Sequence, residues 1–215
     1  MTAGFDISAP GGQLTLTLAR FLVRPTEWIG AGRAATVLGA LSDTLTGPIL
    51  VRARGAELAR RLDLAGVHVP PGLAATLDAD ADAAEALGFA LAPEDRLLES
   101  LRRLGAVLQH GRLRSAVLKA ERSALHAAFG RDAVEAGLRQ GASLYPAVVA
   151  LGDPARMPSP DDPLAESAEV AAAWLATTLS VAAEVLRVRL GTPPVDVLLD
   201  SVASAQVARL LRVAP

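Results

Sequence analysis

The sequence predicts an all-α protein, an irregular multi-helix bundle, and three observations point there. Leu97, Leu101, Leu104 and Leu108 recur at steps of four, three and four, which lines one side of a 3.6-residue helix. The hydrophobic share of 51% comes mostly from Ala, Leu and Val while aromatics make up only 3%, a balance that suits helix packed on helix better than a sheet sandwich. Glycine and proline fall at helix-length intervals, with Gly111, Gly130 and Gly191 at expected stops and Pro70-Pro71 at a break. A chain of 215 residues can bury a real core without staples, and with no cysteine it has neither disulfides nor thiolate metal ligands.

Taken in order, residues 1–12 carry Pro10, Gly11 and Gly12 and read as a frayed tail. Residues 13–23 alternate Leu14, Leu16 and Leu18 with polar residues, the period of one short strand-like segment. Thr26 can cap a following helix, with Glu27 in its first turn and Trp28 as a large apolar anchor. Gly30, Gly32 and Ala35 mimic a dinucleotide fingerprint. Pro25 interrupts the segment before them and no acid stands about 20 residues on, so close helix packing explains them better. Gly47-Pro48 breaks the chain, and a short helix is expected from Ile49 to Leu64. The His68–Leu73 stretch then marks the boundary between an N-terminal portion, residues 1–70, with a tail and two short helices, and a main helical body, residues 71–215.

Asp78, Asp80 and Asp82 imitate the opening of a calcium loop, but Ala83 stands where glycine is needed and Phe89 where glutamate is, leaving an acid-rich helix start. From Pro93 to Leu151 the spacing predicts three consecutive helices joined at Gly111 and Gly130, with Val134, Leu138 and Tyr145 as the inward positions of the third. A Pro-rich linker at 153–163 follows. One long helix is expected from Leu164 to Leu190, through Trp174, Val181, Val185 and Val188. Pro193-Pro194 then turns the chain into a last helix through Leu199, Val202 and Leu210, completing a C-terminal helical hairpin.

Charge is uneven. Asp78 to Glu99 holds seven acids against Arg96, and Arg102 to Arg122 holds six bases against Glu121. Such blocks either solvate a helix surface or form a docking face for an acidic partner. Of the 21 bases only Lys119 is a lysine, which fits either the forked bonding of arginine at interfaces or a GC-rich coding sequence. The net charge of −2 gives no global attraction to nucleic acid or to anionic lipid. The N-terminus lacks a basic region followed by an apolar run, and the charge-free stretch from Val170 to Ala183 is shorter than the roughly 18–20 apolar residues of a membrane span. A soluble, cytoplasmic chain is therefore expected. His68, His110 and His126 have no metal-ligand spacing and are expected at the surface or at helix ends, His110 facing the negative end of its helix. No nucleophile elbow, phosphate loop or zinc-protease motif is present, so catalytic, cofactor and metal residues are not expected.

Two stretches resemble a known family. Phe21, Arg24, Pro25, Trp28 and Ile29 resemble the F-x-x-R-P-x-x-(Y/W)-I pattern of the SctK (YscK-like) proteins of bacterial type III secretion systems. Leu101, Leu104, Gly105 and Leu108, followed by Leu113-Arg114 and by Leu125, Gly130 and Ala133, resemble that family's central leucine-glycine core. The resemblance implies a non-enzymatic cytoplasmic adaptor, peripheral to the inner-membrane secretion complex, that joins the SctD-like ring protein to the SctQ-like pod protein of the sorting platform. It implies no cofactor, no nucleic acid, no membrane insertion and no small-molecule substrate. The candidate protein-binding residues are Trp28 and the basic face of Arg102, Arg103, Arg112 and Arg114; none is carried over from family contacts. A second reading is a regulatory or chaperone-like helical protein that holds a peptide in a groove between helices.

Overall fold

The computed structural model describes residues 8–39, 48–62, 64, 67–116, 118–153, 155–159, 161–194 and 198–212. Among them the fold is all-α, as the leucine spacing predicts. The helices are α1 (Pro10–Val23), α2 (Ala31–Leu38), α3 (Pro48–Arg61), α4 (Leu73–Ala79), α5 (Ala81–Ala90), α6 (Glu94–Leu108) and α7 (His110–Ser115). They continue with α8 (Lys119–Phe129), α9 (Arg131–Leu144), α10 (Pro146–Val149), α11 (Ala165–Thr178), α12 (Ser180–Leu190) and α13 (Ser201–Leu211), and a single 3₁₀ turn spans Pro25–Glu27.

The helices form two compact units that do not follow a boundary at residue 70. The first comprises residues 1–94 and 178–191, the second residues 95–177 and 192–215, so the chain leaves the first unit, builds most of the second and returns for α12.

In the first unit α1 packs on α4, and α12 on α5. The strand-like alternation at 13–23 gives way to a helix. Gly11, Thr15, Leu18 and Phe21 fall on one buried face, Pro10 supplies a pre-set first turn, and the Thr15 and Thr17 hydroxyls donate to the carbonyls four residues back at 2.7 and 2.8 Å. The expected tail is likewise corrected where it is described. Gly11 and Gly12 are buried, and the Gly11 amide donates to Asp78 Oδ1 at 2.8 Å; residues 1–7 lie outside the described residues. The helix expected from Thr26 starts later, with Gly30 before its first residue, because Pro25–Glu27 closes as a 3₁₀ turn that buries Pro25. Asp80 caps α5, accepting from the Asp82 and Ala83 amides at 2.9 and 3.1 Å, which makes this the acid-rich helix start expected.

Arginines close the helix ends of this unit. Arg33 donates to Val188 O near the end of α12 (2.8 Å), and Arg61 to Val37 O and Leu38 O at the end of α2 (2.8 and 3.0 Å). The buried Arg189 donates to Trp28 O (3.0 Å) and to Ala90 O and Ala92 O (2.7 Å each) where α5 stops. The last carbonyls of a helix have no partner within it and carry the negative end of its dipole, so a guanidinium fork satisfies both demands.

In the second unit Leu97, Leu101, Leu104 and Leu108 are all buried. A core of Leu113, Ala116, Leu125, Ala128, Phe129 and Val134 includes Ala106 of α6. Gly130, at φ +81°, is the predicted joint between α8 and α9. Gly111 is not: α6 ends at Leu108, and Gly111 lies inside α7. The expected second helix is two, broken at Ala116, whose carbonyl accepts from Arg122 Nε at 2.8 Å; Val117 lies outside the described residues.

Leu138, predicted inward, is 40% exposed. Gly137 and Gly141 take the inner face of α9 instead, because the Ala106 backbone beside the first and the His110 ring beside the second leave no room for a side chain. A Cβ on Gly137 would sit 2.9 Å from Ala106 O, and one on Gly141 2.7 Å from His110 Nδ1. His110 is therefore buried, 6% exposed, rather than on the surface, and as the first residue of α7 it stands at the positive end of its helix, not at the negative end expected. Its Nδ1 lies 3.0 Å from Gly137 O, while Nε2 is buried without a partner.

The helix expected over 164–190 divides at Leu179, whose backbone is extended after the β-branched pair Thr177-Thr178. The division coincides with the passage of the chain from one unit to the other. No hairpin joins this stretch to the last helix: α13 packs on α10, with Gln206 Oε1 accepting from the Ala147 amide at 2.9 Å. In α13 the buried positions are Ala203, Val207 and Leu211, one step from the expected phase, and Val202 is 59% exposed. Asp200, whose side chain accepts from the Ala203 amide, sets that phase by fixing where the helix starts; residues 195–197 and 213 lie outside the described residues.

Candidate functional site: an arginine groove in the second unit

Small residues decide how close the walls of the site can come. Gly105 of α6 lies against the Phe129 ring, and Gly137 lets α9 approach the Ala106 backbone. That approach sets Arg102 and Arg103, on the outer turn of α6, beside the start of α9, where Arg131 follows the Gly130 joint. The Gln206 bond to Ala147 holds α13 on α10, bringing Arg209 and Leu210 to the same place.

The result is an open groove of about 780 Å³ within the second unit. Its lining includes five arginines, Arg102, Arg103, Arg131, Arg209 and Arg212, against two carboxylates, Glu99 and Asp132. Val107, Phe129, Ala133 and Tyr145 are buried beneath them and make the floor apolar. Arg103 is engaged by Glu99 one turn back. Arg102, Arg131 and Arg209 are exposed and make no hydrogen bond or ion pair within the described residues. Three guanidiniums from three helices thus face one concavity with most of their bonding capacity unused.

Of the sequence-predicted binding residues, Arg102 and Arg103 stand in this groove and Arg112 and Arg114 do not. Arg112 is half-buried and pairs with Glu121 at 3.0 Å; Arg114 is exposed on α7, away from the groove lining. Trp28 belongs to the first unit. It is half-buried, its Nε1 is buried without a partner, and its carbonyl accepts from Arg189. Inspection of the sequence missed Arg131, Arg209 and Arg212. Arg131 was visible as the residue after a predicted joint. Arg209 and Arg212 stand in the last helix and just beyond it, far along the chain, and only tertiary packing brings them to α6.

The first unit has a surface of different character. Leu16, Ala19 and Val23 of α1 form a shallow apolar hollow of about 530 Å³ edged by Arg20, Arg24 and Glu27, and Val23 is 79% exposed. Among the described residues no group of three or more His, Cys, Asp or Glu stands where it could hold a metal ion, and no helix is long and apolar enough to cross a membrane.

Fold and site together define an all-α protein of two compact helical units, one of which presents an arginine-lined groove. No family model matches the chain, and no curated protein or solved structure does.

Proposed function

We propose that the chain is a non-enzymatic cytoplasmic adaptor of a bacterial type III secretion sorting platform, joining an SctD-like ring protein to an SctQ-like pod protein. A bridge needs at least two patches of different chemistry on firm supports. The single observation that carries the proposal is that each compact unit has one: the apolar hollow of Leu16, Ala19 and Val23 on the first, and the arginine groove on the second. The residues of the family resemblance supply the framework beneath. Phe21, Pro25 and Ile29 are buried in the first unit, and Leu101, Leu104, Gly105 and Leu108 in the second.

The test is reconstitution with purified SctD-like and SctQ-like proteins of a bacterial type III secretion system. Capture of both in one complex is expected, with Val23→Glu releasing one partner and the pair Arg131→Glu/Arg209→Glu releasing the other. If neither partner is retained by the unaltered chain, the proposal fails. The alternative of a regulatory or chaperone-like peptide binder draws on one feature, the position of the groove between helices.

A further inference from the structure

We propose that the groove between α6, α9 and α13 holds a short acidic segment of a partner protein, its carboxylates on Arg102, Arg131 and Arg209 and its apolar side chains on Val107 and Tyr145. From the adaptor proposal this takes only that the ligand is a protein; the choice of an acidic one comes from the groove.

Several arginines elsewhere are engaged, while Arg20, Arg96 and Arg114 are exposed on separate helices with no side-chain hydrogen bond or ion pair among the described residues. Arg33, Arg61, Arg122 and Arg189 satisfy helix-end or turn carbonyls, while Arg112, Arg156 and Arg187 satisfy carboxylates. The groove gathers three in one concavity that, among the described residues, satisfy neither. Their convergence makes a local positive field in a chain of net charge −2. A planar guanidinium offers two parallel donors that match the two oxygens of a carboxylate, so closely set arginines select that group with geometry as well as charge.

The buried floor selects further. Val107 and Tyr145 line the same groove as the arginines, and a lining that mixes apolar and cationic groups favours a segment with both acids and apolar side chains over a bare anion. Nucleic acid is disfavoured by Glu99 and Asp132 in the lining, which would repel a regular run of phosphates. A second copy of this chain is disfavoured because its own acidic run is folded into α4 and α5, where Asp78 accepts from Gly11 and Asp80 caps a helix.

The experiment measures fluorescence anisotropy of a labelled glutamate-rich peptide carrying interspersed leucines, titrated with the full chain and with variants checked by circular dichroism. Binding is expected to weaken about tenfold for each of Arg131→Ala and Arg209→Ala, as loss of one charge-assisted contact implies. It should fall further with rising salt and be unchanged in Arg114→Ala, an exposed arginine off the groove. No binding by the unaltered chain, equal binding by the Arg131→Glu/Arg209→Glu variant, preference for a single-stranded oligonucleotide, or a dimer that this variant dissolves would each overturn the assignment. The assay contains no secretion protein, so its failure is distinguishable from failure of the reconstitution.

Discussion

Replacing Arg189 with methionine removes one side chain and leaves the carbonyls of Trp28, Ala90 and Ala92 without their donor. Bonds from a charged donor contribute roughly 1.5–3 kcal/mol each, so three give about 4.5–9 kcal/mol gross. Against this stands the burial of the cation, which pushes the Arg189 guanidinium down from its ordinary value to about 10, a penalty of about 3 kcal/mol. Methionine recovers that penalty. The two shortest bonds share Nη1, which places the gross gain toward the lower end, so the net loss expected is about 2–4 kcal/mol. A buried ion pair replaced by apolar residues can come out neutral because both partners are removed. Here the acceptors are backbone and stay behind.

The assay is urea denaturation followed by Trp28 fluorescence in a Trp174→Phe background, so that the signal belongs to the first unit. With a urea slope of about 1–3 kcal/mol per molar, the midpoint should fall by roughly 1–2 M. Arg189→Lys should fall as well, since an ammonium cannot span the same acceptors. An unchanged or raised midpoint for the methionine variant would refute the claim that this arginine ties the 3₁₀ turn to the end of α5.

Gly137→Ala should destabilise the second unit by about 1–2 kcal/mol, the overpacking against Ala106 O outweighing the gain in helix propensity, as read by the Trp174 transition. Gly88→Ala, in α5 with open space around its α-carbon, should instead raise stability by about 0.5–1 kcal/mol, and a loss would show that the α5 surface is less open than described. Arg60 and Arg61 bond the Glu57 carboxylate and hold it at about 2, below its ordinary 4.5. A carboxylate depressed in the folded state contributes stability that is complete above 4.5 and is lost as pH falls toward 2. The Glu57→Gln variant should therefore melt below the unaltered chain at neutral pH and converge with it near pH 2. Parallel curves across that range would exclude the linkage.

The sequence revealed elements better than faces. The Leu97–Leu108 stripe, the Gly130 joint and the Gly191 stop follow local rules of spacing and backbone freedom, and they appear as expected. Leu138 and Val202 point outward because α9 and α13 are oriented by what their neighbours leave room for: glycine against the Ala106 backbone and an Asp200 cap that sets the phase. Periodicity assumes that the largest apolar residue faces inward, and a helix seated on glycines breaks that assumption. The division of labour among arginines was equally hidden. Arg112 and Arg102 look alike in a basic run, yet one meets Glu121 and the other has no bonding partner among the described residues, because partners such as Glu121 and helix ends are assigned by tertiary packing. Of the five groove arginines, the two carried by α6 were therefore legible.

The return of α12 to the first unit has a consequence during synthesis. The ribosome emits α1 to α5 early, but the helix that covers α5 and supplies Arg189 emerges only after the whole intervening block has been made. The opening segment must therefore wait, incompletely buried, while the inserted block folds ahead of it. A nascent chain halted before residue 178 lacks the helix that packs on α5.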